Sequence, residues 1–223
     1  MFKIIPQKNN VAVEINCDLN KLTNNKLKKI KLALENYGLV FFRKQKLSSK
    51  NYLNFAKKFG ILANYPRLKG LSNKYPKITV VERKKSDQGP SFGEQFHTDS
   101  SYTKRPPRFT MLLSRLVPER GKANTEFSSQ YQSFKDLPIK FKKKLKNLKA
   151  VFSSEGPISI TRLDRENEKG KNKKELKANH KIIKKIKKKF TIYCSPGHFK
   201  NFLSKNKKLN KELEKFLFKH QVK

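Results

Sequence analysis

The sequence contains only two cysteines, Cys17 and Cys194, and they stand far apart in a chain of 223 residues. Two isolated thiols are too few for the disulfide framework of a small secreted domain, and no CxxC pair suggests a zinc or redox motif. The N-terminal residues also lack the apolar segment of a secretory signal. These absences favour a reducing, cytoplasmic setting.

Long apolar runs are also missing, because no stretch approaches the roughly 20 apolar residues that a membrane-spanning helix needs. We therefore expect no membrane partner. The hydrophobic share is 35%, and 17 Phe and 7 Tyr can fill a core, so the composition is that of a folded protein rather than a disordered one. No internal repeat is visible, and one domain is the simplest interpretation.

Acidic residues are scarce, with 17 Asp and Glu against 54 Lys and Arg, for a formal net charge of +37. Clustered cations bind nucleic acid by releasing counterions. These lysines, however, are spread along nearly the whole chain, and Lys outnumbers Arg, which reads bases and phosphates better. The charge is therefore interpreted as lysines that fill solvated surface positions, and nucleic-acid binding stays an alternative.

Hydrophobic periodicity predicts a mixed domain of strands and helices. In the helix predicted over residues 23–38, Thr23 or Asn24 is the N-cap and Gly38 ends the helix in a left-handed turn. The other predicted helices are 48–60, 127–138, 138–149 and 209–223. The predicted strands are 11–19, 39–42, 77–83, 108–118, 150–154 and 189–197. Residues 163–179 are almost wholly charged or polar and are predicted to form a flexible insertion.

The chain has four histidines, and one of them, His97, lies two residues before Asp99. In a strand, residues i and i+2 point to the same face, so an imidazole nitrogen and a carboxylate oxygen can meet at one point. Such a pair supplies two of the three ligands of the 2-His-1-carboxylate triad that holds Fe(II). A surface ion pair or a hydrogen-bonded turn produces the same spacing, so the residues alone leave both interpretations open.

The segments around this pair extend the pattern over nearly the whole chain. They are ENYGLVFFRK (35–44), FGEQFHTDSSY (92–102), RPPRFTMLLSRLVP (105–118), NTEF (124–127) and FTIYCSPGHF (190–199). In order and spacing these segments resemble the taurine/2,4-dichlorophenoxyacetate dioxygenase (TauD/TfdA-like) family of Fe(II)- and 2-oxoglutarate-dependent oxygenases. The combination is far more specific than the His97–Asp99 spacing alone.

The resemblance implies an α+β fold with a mainly β core, namely a double-stranded β-helix (jelly roll, cupin-like) flanked by helices. It implies that His97 and Asp99 are iron ligands and that Thr125 helps bind 2-oxoglutarate, whose distal carboxylate can accept a hydrogen bond from a hydroxyl group. It also implies O₂ as co-substrate and hydroxylation of a small, anionic substrate with release of succinate and CO₂. A homo-oligomer is left open.

The sequence departs from the family pattern at two places. The usual G-G before [DN]-T is GKAN here, so Gly121 is kept and the second glycine is not. The family's second iron histidine and its 2-oxoglutarate-binding arginine belong to a W-D-N-R…H segment, and this chain has no Trp. His180, His198 and His220 are the remaining histidines, and only His198 follows a predicted strand.

The resemblance therefore predicts a C-terminally incomplete TauD/TfdA-like domain over residues 1–223, with its last strands missing, rather than a site completed by His198. Its activity stays open at this point. The alternatives are a catalytically dead jelly-roll binding module and a basic nucleic-acid-binding protein.

Overall fold

A computed structural model describes residues 2–8, 11–119, 121–161 and 174–222. The chain forms two compact units: Met1–Leu62 with Met111–Ser129, and Ala63–Thr110 with Gln130–Lys223. The prediction of a single domain over residues 1–223 stays a prediction.

The first unit is a small sheet with two helices. Its elements are β1 (Lys3–Pro6), β2 (Ala12–Asn16), α1 (Asn24–Tyr37), β3 (Leu39–Phe41) and α2 (Ser49–Lys57). Strand β2 is central, antiparallel to β1 and parallel to β3. A parallel pair needs a crossover connection, and α1 provides it. The core of this unit gathers buried side chains of the sheet and both helices, among them Val13, Ile15, Ile30 and Phe55.

Helix α1 begins and ends where the sequence predicts. The Thr23 hydroxyl accepts a hydrogen bond from the Lys26 backbone N–H at 3.3 Å. Gly38 takes the left-handed conformation with φ 78°, which glycine adopts without steric cost, and its N–H donates to the Leu34 carbonyl. The predicted helix over 23–38 is confirmed, and the cap residue is Thr23.

In the part of the second unit that the structure describes, antiparallel strands are combined with three α-helices. The helices are α3 (Gln130–Lys135), α4 (Ile139–Leu145) and α5 (Lys207–His220), and the strands are β4 (Lys149–Ser153), β5 (Lys177–Lys181), β6 (Ile183–Ile186), β7 (Lys189–Ile192) and β8 (Phe199–Phe202). Strand β4 lies between β5 and β8, and β6 pairs with β7. The three helices match predicted ones. Helix α4 supplies Phe141 and Leu145, and helix α5 supplies Leu213 and Leu217, to a core that includes Phe152 of β4.

Two predicted strands, 77–83 and 108–118, are wrong. No regular strand includes these residues in the described part of the chain. Several of their apolar side chains are exposed, and Leu116 is 94% exposed. An apolar, β-branched pattern favours an extended backbone, but a strand also needs a neighbour whose N–H and C=O groups pair with its own. Among the described residues, neither segment belongs to a sheet.

The predicted flexible insertion, 163–179, lies mostly outside the described residues. Its last part is corrected by the structure, because residues 177–179 belong to β5 and pair with β4. The pattern of β5 is alternating, with Ala178 and His180 buried and their neighbours exposed. Lys177 and Asn179 form the exposed face of this strand, and such polar residues are also typical of a solvated loop.

The predicted mixture of helices and strands is confirmed. The described strands form two three-stranded sheets and one two-stranded sheet, and helices contribute to both cores. Both cysteines are free and buried, one in each core. No helix in the described ranges has the length and apolar character needed to cross a membrane.

Candidate metal centre

His97 and Asp99 face each other in the second unit. The His97 Nε2 atom lies 3.1 Å from the Asp99 Oδ1 atom, and the two side chains are 26% and 37% exposed. Two donor atoms bound at about 2.1 Å and at right angles to one metal ion lie about 3.0 Å apart. The separation of this pair is therefore that of a hydrogen-bonded ion pair, and it also fits two ligands of a single metal ion.

The hydrogen bond of His97 Nδ1 determines which nitrogen of the ring is free to bind a cation. His97 Nδ1 lies 2.6 Å from the Gln95 carbonyl oxygen, which can only accept, so Nδ1 carries the proton and donates. Nε2 then faces a carboxylate oxygen, and that approach is favourable only with a proton or a metal cation at Nε2. Histidine ligands of metals typically donate their second N–H to a carbonyl in this manner.

Asp99 is ionised under ordinary conditions. Burial alone would raise the pKa of its carboxyl group, but hydrogen bonds with His97 and Thr110, together with the charges of His97 and His198, lower the pKa below its ordinary value. The carboxylate is therefore available as an anionic ligand at neutral pH.

The loop that carries the pair is irregular, so the two side chains converge without the shared strand face that the i, i+2 argument assumed. A short 3₁₀ helix, Pro196–His198, holds this loop. The Thr98 N–H donates to the Ser195 hydroxyl at 2.9 Å, and the Gly197 N–H donates to the Phe96 carbonyl at 3.1 Å. Hydrogen bonds from a distant segment replace the strand ladder that the sequence pattern suggested.

Two glycines make room for this contact. A Cβ atom at Gly197 would lie 3.1 Å from the Cβ atoms of His97 and Ile158, closer than ordinary packing allows. A Cβ atom at Gly156 would lie 2.7 Å from the His198 Cα atom, which is a clash with backbone. The 3₁₀ helix can therefore lie against His97 only because both positions lack a side chain.

His198 lies next to the pair without completing a triad. Its side chain is buried at 3% exposure, and its ring centroid lies 6.0 Å from that of His97 and 4.9 Å from that of Tyr102. Within the described ranges, no group of three or more His, Cys, Asp or Glu side chains has the geometry to hold a metal ion. The structure therefore brings two candidate ligands together and leaves His198 beside them.

The other two histidines have structural partners. His180 is buried in β5, where its Nε2 atom lies 2.9 Å from the Ser101 carbonyl oxygen and 3.0 Å from that of Thr103. His220 Nε2 lies 2.8 Å from the Ser133 carbonyl oxygen. Sequence reasoning missed the contact of His180 with the loop that follows Asp99. The alternation of exposed and buried residues in β5 could have indicated that His180 is buried, but not which residues it contacts.

Thr125 lies in the first unit, in an exposed segment without regular secondary structure. Gly121 in the same segment has a φ of 89°, a conformation that favours the glycine kept there. The role of Thr125 toward 2-oxoglutarate stays a prediction.

Comparison with known proteins gives consistent results. Residues 3–222 match the family model described as "Taurine catabolism dioxygenase TauD, TfdA family". The alpha-ketoglutarate-dependent 2,4-dichlorophenoxyacetate dioxygenase of Burkholderia sp. (strain RASC) is 29% identical over 131 residues, which are 52% of this chain and 44% of that protein. Pentalenolactone F synthase of Streptomyces avermitilis is 26% identical over 128 residues, 54% of this chain and 42% of that protein. The matches thus span less than half the length of these two relatives.

Solved structures show the same fold. A taurine dioxygenase from Burkholderia xenovorans superposes with a TM-score of 0.70 at 17% identity, covering 100% of this chain and 73% of that one. AAD-2 in complex with Mn(II) and N-oxalylglycine gives a TM-score of 0.71 at 18% identity, covering 100% of this chain and 80% of that one. With the family model matched over almost every residue, the chain belongs to the taurine catabolism dioxygenase TauD, TfdA family.

Proposed function

We propose that this chain carries metal ligands of an Fe(II)- and 2-oxoglutarate-dependent dioxygenase that hydroxylates a small anionic substrate and releases succinate and CO₂. The observation that carries the proposal is the facing pair of His97 and Asp99, with Nε2 and Oδ1 3.1 Å apart and Nδ1 of the imidazole held by a carbonyl. Family membership supports the reaction class.

In this proposal His97 and Asp99 bind the ferrous ion, and the Gln95 carbonyl orients the imidazole so that Nε2 presents its lone pair. The bound ion, with 2-oxoglutarate and O₂, would supply the oxidising chemistry. Thr125 would donate its hydroxyl to the distal carboxylate of 2-oxoglutarate. The complex of the structural neighbour AAD-2 with Mn(II) and N-oxalylglycine supports a divalent metal beside an oxalyl group.

The finer fold and the substrate class belong to the same proposal. We expect the chain to contribute to a double-stranded β-helix, or jelly roll, which the TM-score of 0.70 to a taurine dioxygenase supports. An anionic substrate is supported by the name of the 2,4-dichlorophenoxyacetate dioxygenase relative. The net charge of +37 would also favour the approach of anions.

The metal step is tested by titrating Mn(II) into the 223-residue chain and following the loss of the free-ion electron paramagnetic resonance signal. His97→Ala and Asp99→Ala should each weaken binding by more than about 100-fold, because a directly bound ligand contributes more than its outer-shell supports. Asp136→Asn is the matched control, since Asp136 is a carboxylate that contacts Gln132 within α3 and its C-terminal turn. Binding that survives both alanine variants would refute the proposed site.

The catalytically dead binding module stays a second candidate, because the described residues hold no group of three metal-binding side chains. With two protein ligands we expect weak metal binding and slow succinate formation. An aerobic assay with Fe(II), ascorbate and 2-oxoglutarate distinguishes the two candidates. Substrate-dependent succinate that disappears in Asp99→Ala supports the oxygenase, whereas metal binding without any succinate supports the module.

A further inference from the structure

His180 is a buried histidine of the second unit that the proposed reaction does not use. It is 9% exposed in β5, where it pairs with Ala150 of β4. Its ring packs against Tyr193 with centroids 5.2 Å apart and against Phe152 with centroids 5.8 Å apart. Strand pairing and aromatic packing together fix the direction in which its Nε2 atom points.

That atom points at two backbone carbonyls of one turn. The Ser101 and Thr103 oxygens lie 2.9 Å and 3.0 Å from Nε2, and both can only accept. Nε2 therefore carries the proton and donates to both oxygens. Burial lowers the pKa of His180, and the positive charge of Lys184 lowers it further. The ring is therefore neutral at pH 7, with its single proton on Nε2.

The turn that His180 holds begins directly after Asp99. Ser100 has a left-handed backbone with φ 50°, a conformation that is strained for a residue other than glycine. Within the turn, the Thr103 N–H and hydroxyl both donate to the Ser100 carbonyl, at 2.9 Å and 2.8 Å. A strained turn persists only when other contacts hold it. The two bonds from His180 come from a strand 77 residues away from Thr103 in sequence.

From this arrangement we infer that His180 is a positioning residue, whose Nε2–H clamps the 100–103 turn and so directs the Asp99 carboxylate toward His97 Nε2. The inference rests on the proposed function, because it treats Asp99 as a metal ligand. His180 acts through the backbone carbonyls of Ser101 and Thr103 and not by direct contact with a candidate ligand. For this role, residue 180 must present one N–H donor at the position of Nε2.

The test compares two substitutions that differ in this donor. His180→Leu fills the site but removes the N–H, whereas His180→Gln places an amide N–H near the position of Nε2. We expect His180→Leu to weaken Mn(II) binding about 10–100-fold, as loss of outer-shell support typically does, and His180→Gln to restore most of it. His220→Gln is the matched control, because His220 Nε2 also bonds a backbone carbonyl but between α3 and α5, and it should leave Mn(II) binding unchanged.

A metal-free measurement separates failure of this inference from failure of the proposed function. Amide hydrogen exchange at Thr103, whose N–H bonds to Ser100, should be faster in His180→Leu than in His180→Gln or in the unaltered chain. If the unaltered chain binds no Mn(II) but this exchange pattern is found, the clamp stands and the metal function fails. If Mn(II) binding and exchange are the same in the Leu and Gln variants, the inference is overturned.

Discussion

Helix α1 and the loop that carries His97 and Asp99 are fixed by hydrogen bonds of different range. The cap of α1 joins Thr23 to Lys26, and its end joins Gly38 to Leu34. The His97–Asp99 loop is held by Ser195, 97 residues from its partner Thr98, and by Gly197, which bonds Phe96. The difference teaches that α1 depends on its own residues, whereas the loop depends on segments far away in the chain.

We therefore expect substitutions in the two regions to affect different properties of the protein. Substitutions of Gly156, Ser195 and Gly197 should weaken Mn(II) binding at the candidate metal centre, although none of these residues is a candidate ligand. Substitutions at the ends of α1 should lower the stability of the first unit and leave metal binding intact.

Gly156→Ala should have the largest effect. The added Cβ atom would lie 2.7 Å from the His198 Cα atom and 2.9 Å from the Gly197 carbonyl oxygen. Backbone atoms cannot rotate away as a flexible side chain can, so the 3₁₀ helix must shift from His97. We expect a loss of about 1–3 kcal/mol in the free energy of unfolding, measured with urea, and weaker Mn(II) binding. Unchanged values of both would show that the contact is loose.

Ser195→Ala removes the acceptor of the Thr98 N–H in a buried position. Losing this part-buried hydrogen bond should lower the free energy of unfolding by about 0.5–1.5 kcal/mol, the usual net contribution of an intramolecular hydrogen bond, and Mn(II) binding should weaken. Ser72→Ala is the control, since the Ser72 hydroxyl also accepts a backbone N–H, that of Tyr75, but in an exposed local turn. Equal losses for the two serine variants would contradict the importance of the distant bond.

Thr23→Ala should lower the free energy of unfolding of the first unit by about 1 kcal/mol, the usual effect of losing an N-cap hydroxyl. Thr23→Ser keeps the hydroxyl that accepts from Lys26 and should restore the stability. Mn(II) affinity is the second measurement and should equal that of the unaltered chain. A change in affinity would show that α1 influences the metal centre after all.

We expect Glu175, just before β5, to make the free energy of unfolding depend on pH. Bonds from Lys177, Ser153 and Lys200 hold the pKa of Glu175 at about 2, below its ordinary 4.5. The folded state therefore binds fewer protons than the unfolded state between these values, and stability rises with pH across that window.

Urea unfolding of the unaltered chain and of Glu175→Gln measures this effect. We expect the unaltered chain to be more stable at pH 6 and the difference to shrink as the pH falls from about 4.5 toward 2. The same difference at pH 6 and at pH 2.5 would rule out an ionic origin. Since Glu175 belongs to a long-range network, its loss should also disturb β5 more than it disturbs α1.

The elements that the sequence predicted well are those with local signals. Both helices of the first unit carry a hydroxyl cap, Thr23 or Ser48, that accepts from a backbone N–H three residues later. The segments 77–83 and 108–118 have an equally clear apolar pattern, yet the structure leaves them without strand partners among the described residues. A pattern predicts how a segment prefers to extend, and a partner decides whether it becomes a strand.

The candidate site was also predictable only where the signal is local. The spacing of His97 and Asp99 indicated a pair of donor atoms, and the resemblance indicated a metal. The predicted reason for their convergence, a shared strand face, was wrong, because the loop is irregular and is held from a distance. The clamp by His180 was not predicted, since no local pattern relates a residue of β5 to a turn near residue 101.

Local sequence was sufficient for the capped helices and for the pair of donor side chains, since each of these depends on residues within a few positions of one another. Only the tertiary structure decided that the 195–198 segment and His180 would hold that pair in place. Hydrogen bonds between residues some 80 to 100 positions apart form only after the chain has folded, and the order of residues does not encode them locally.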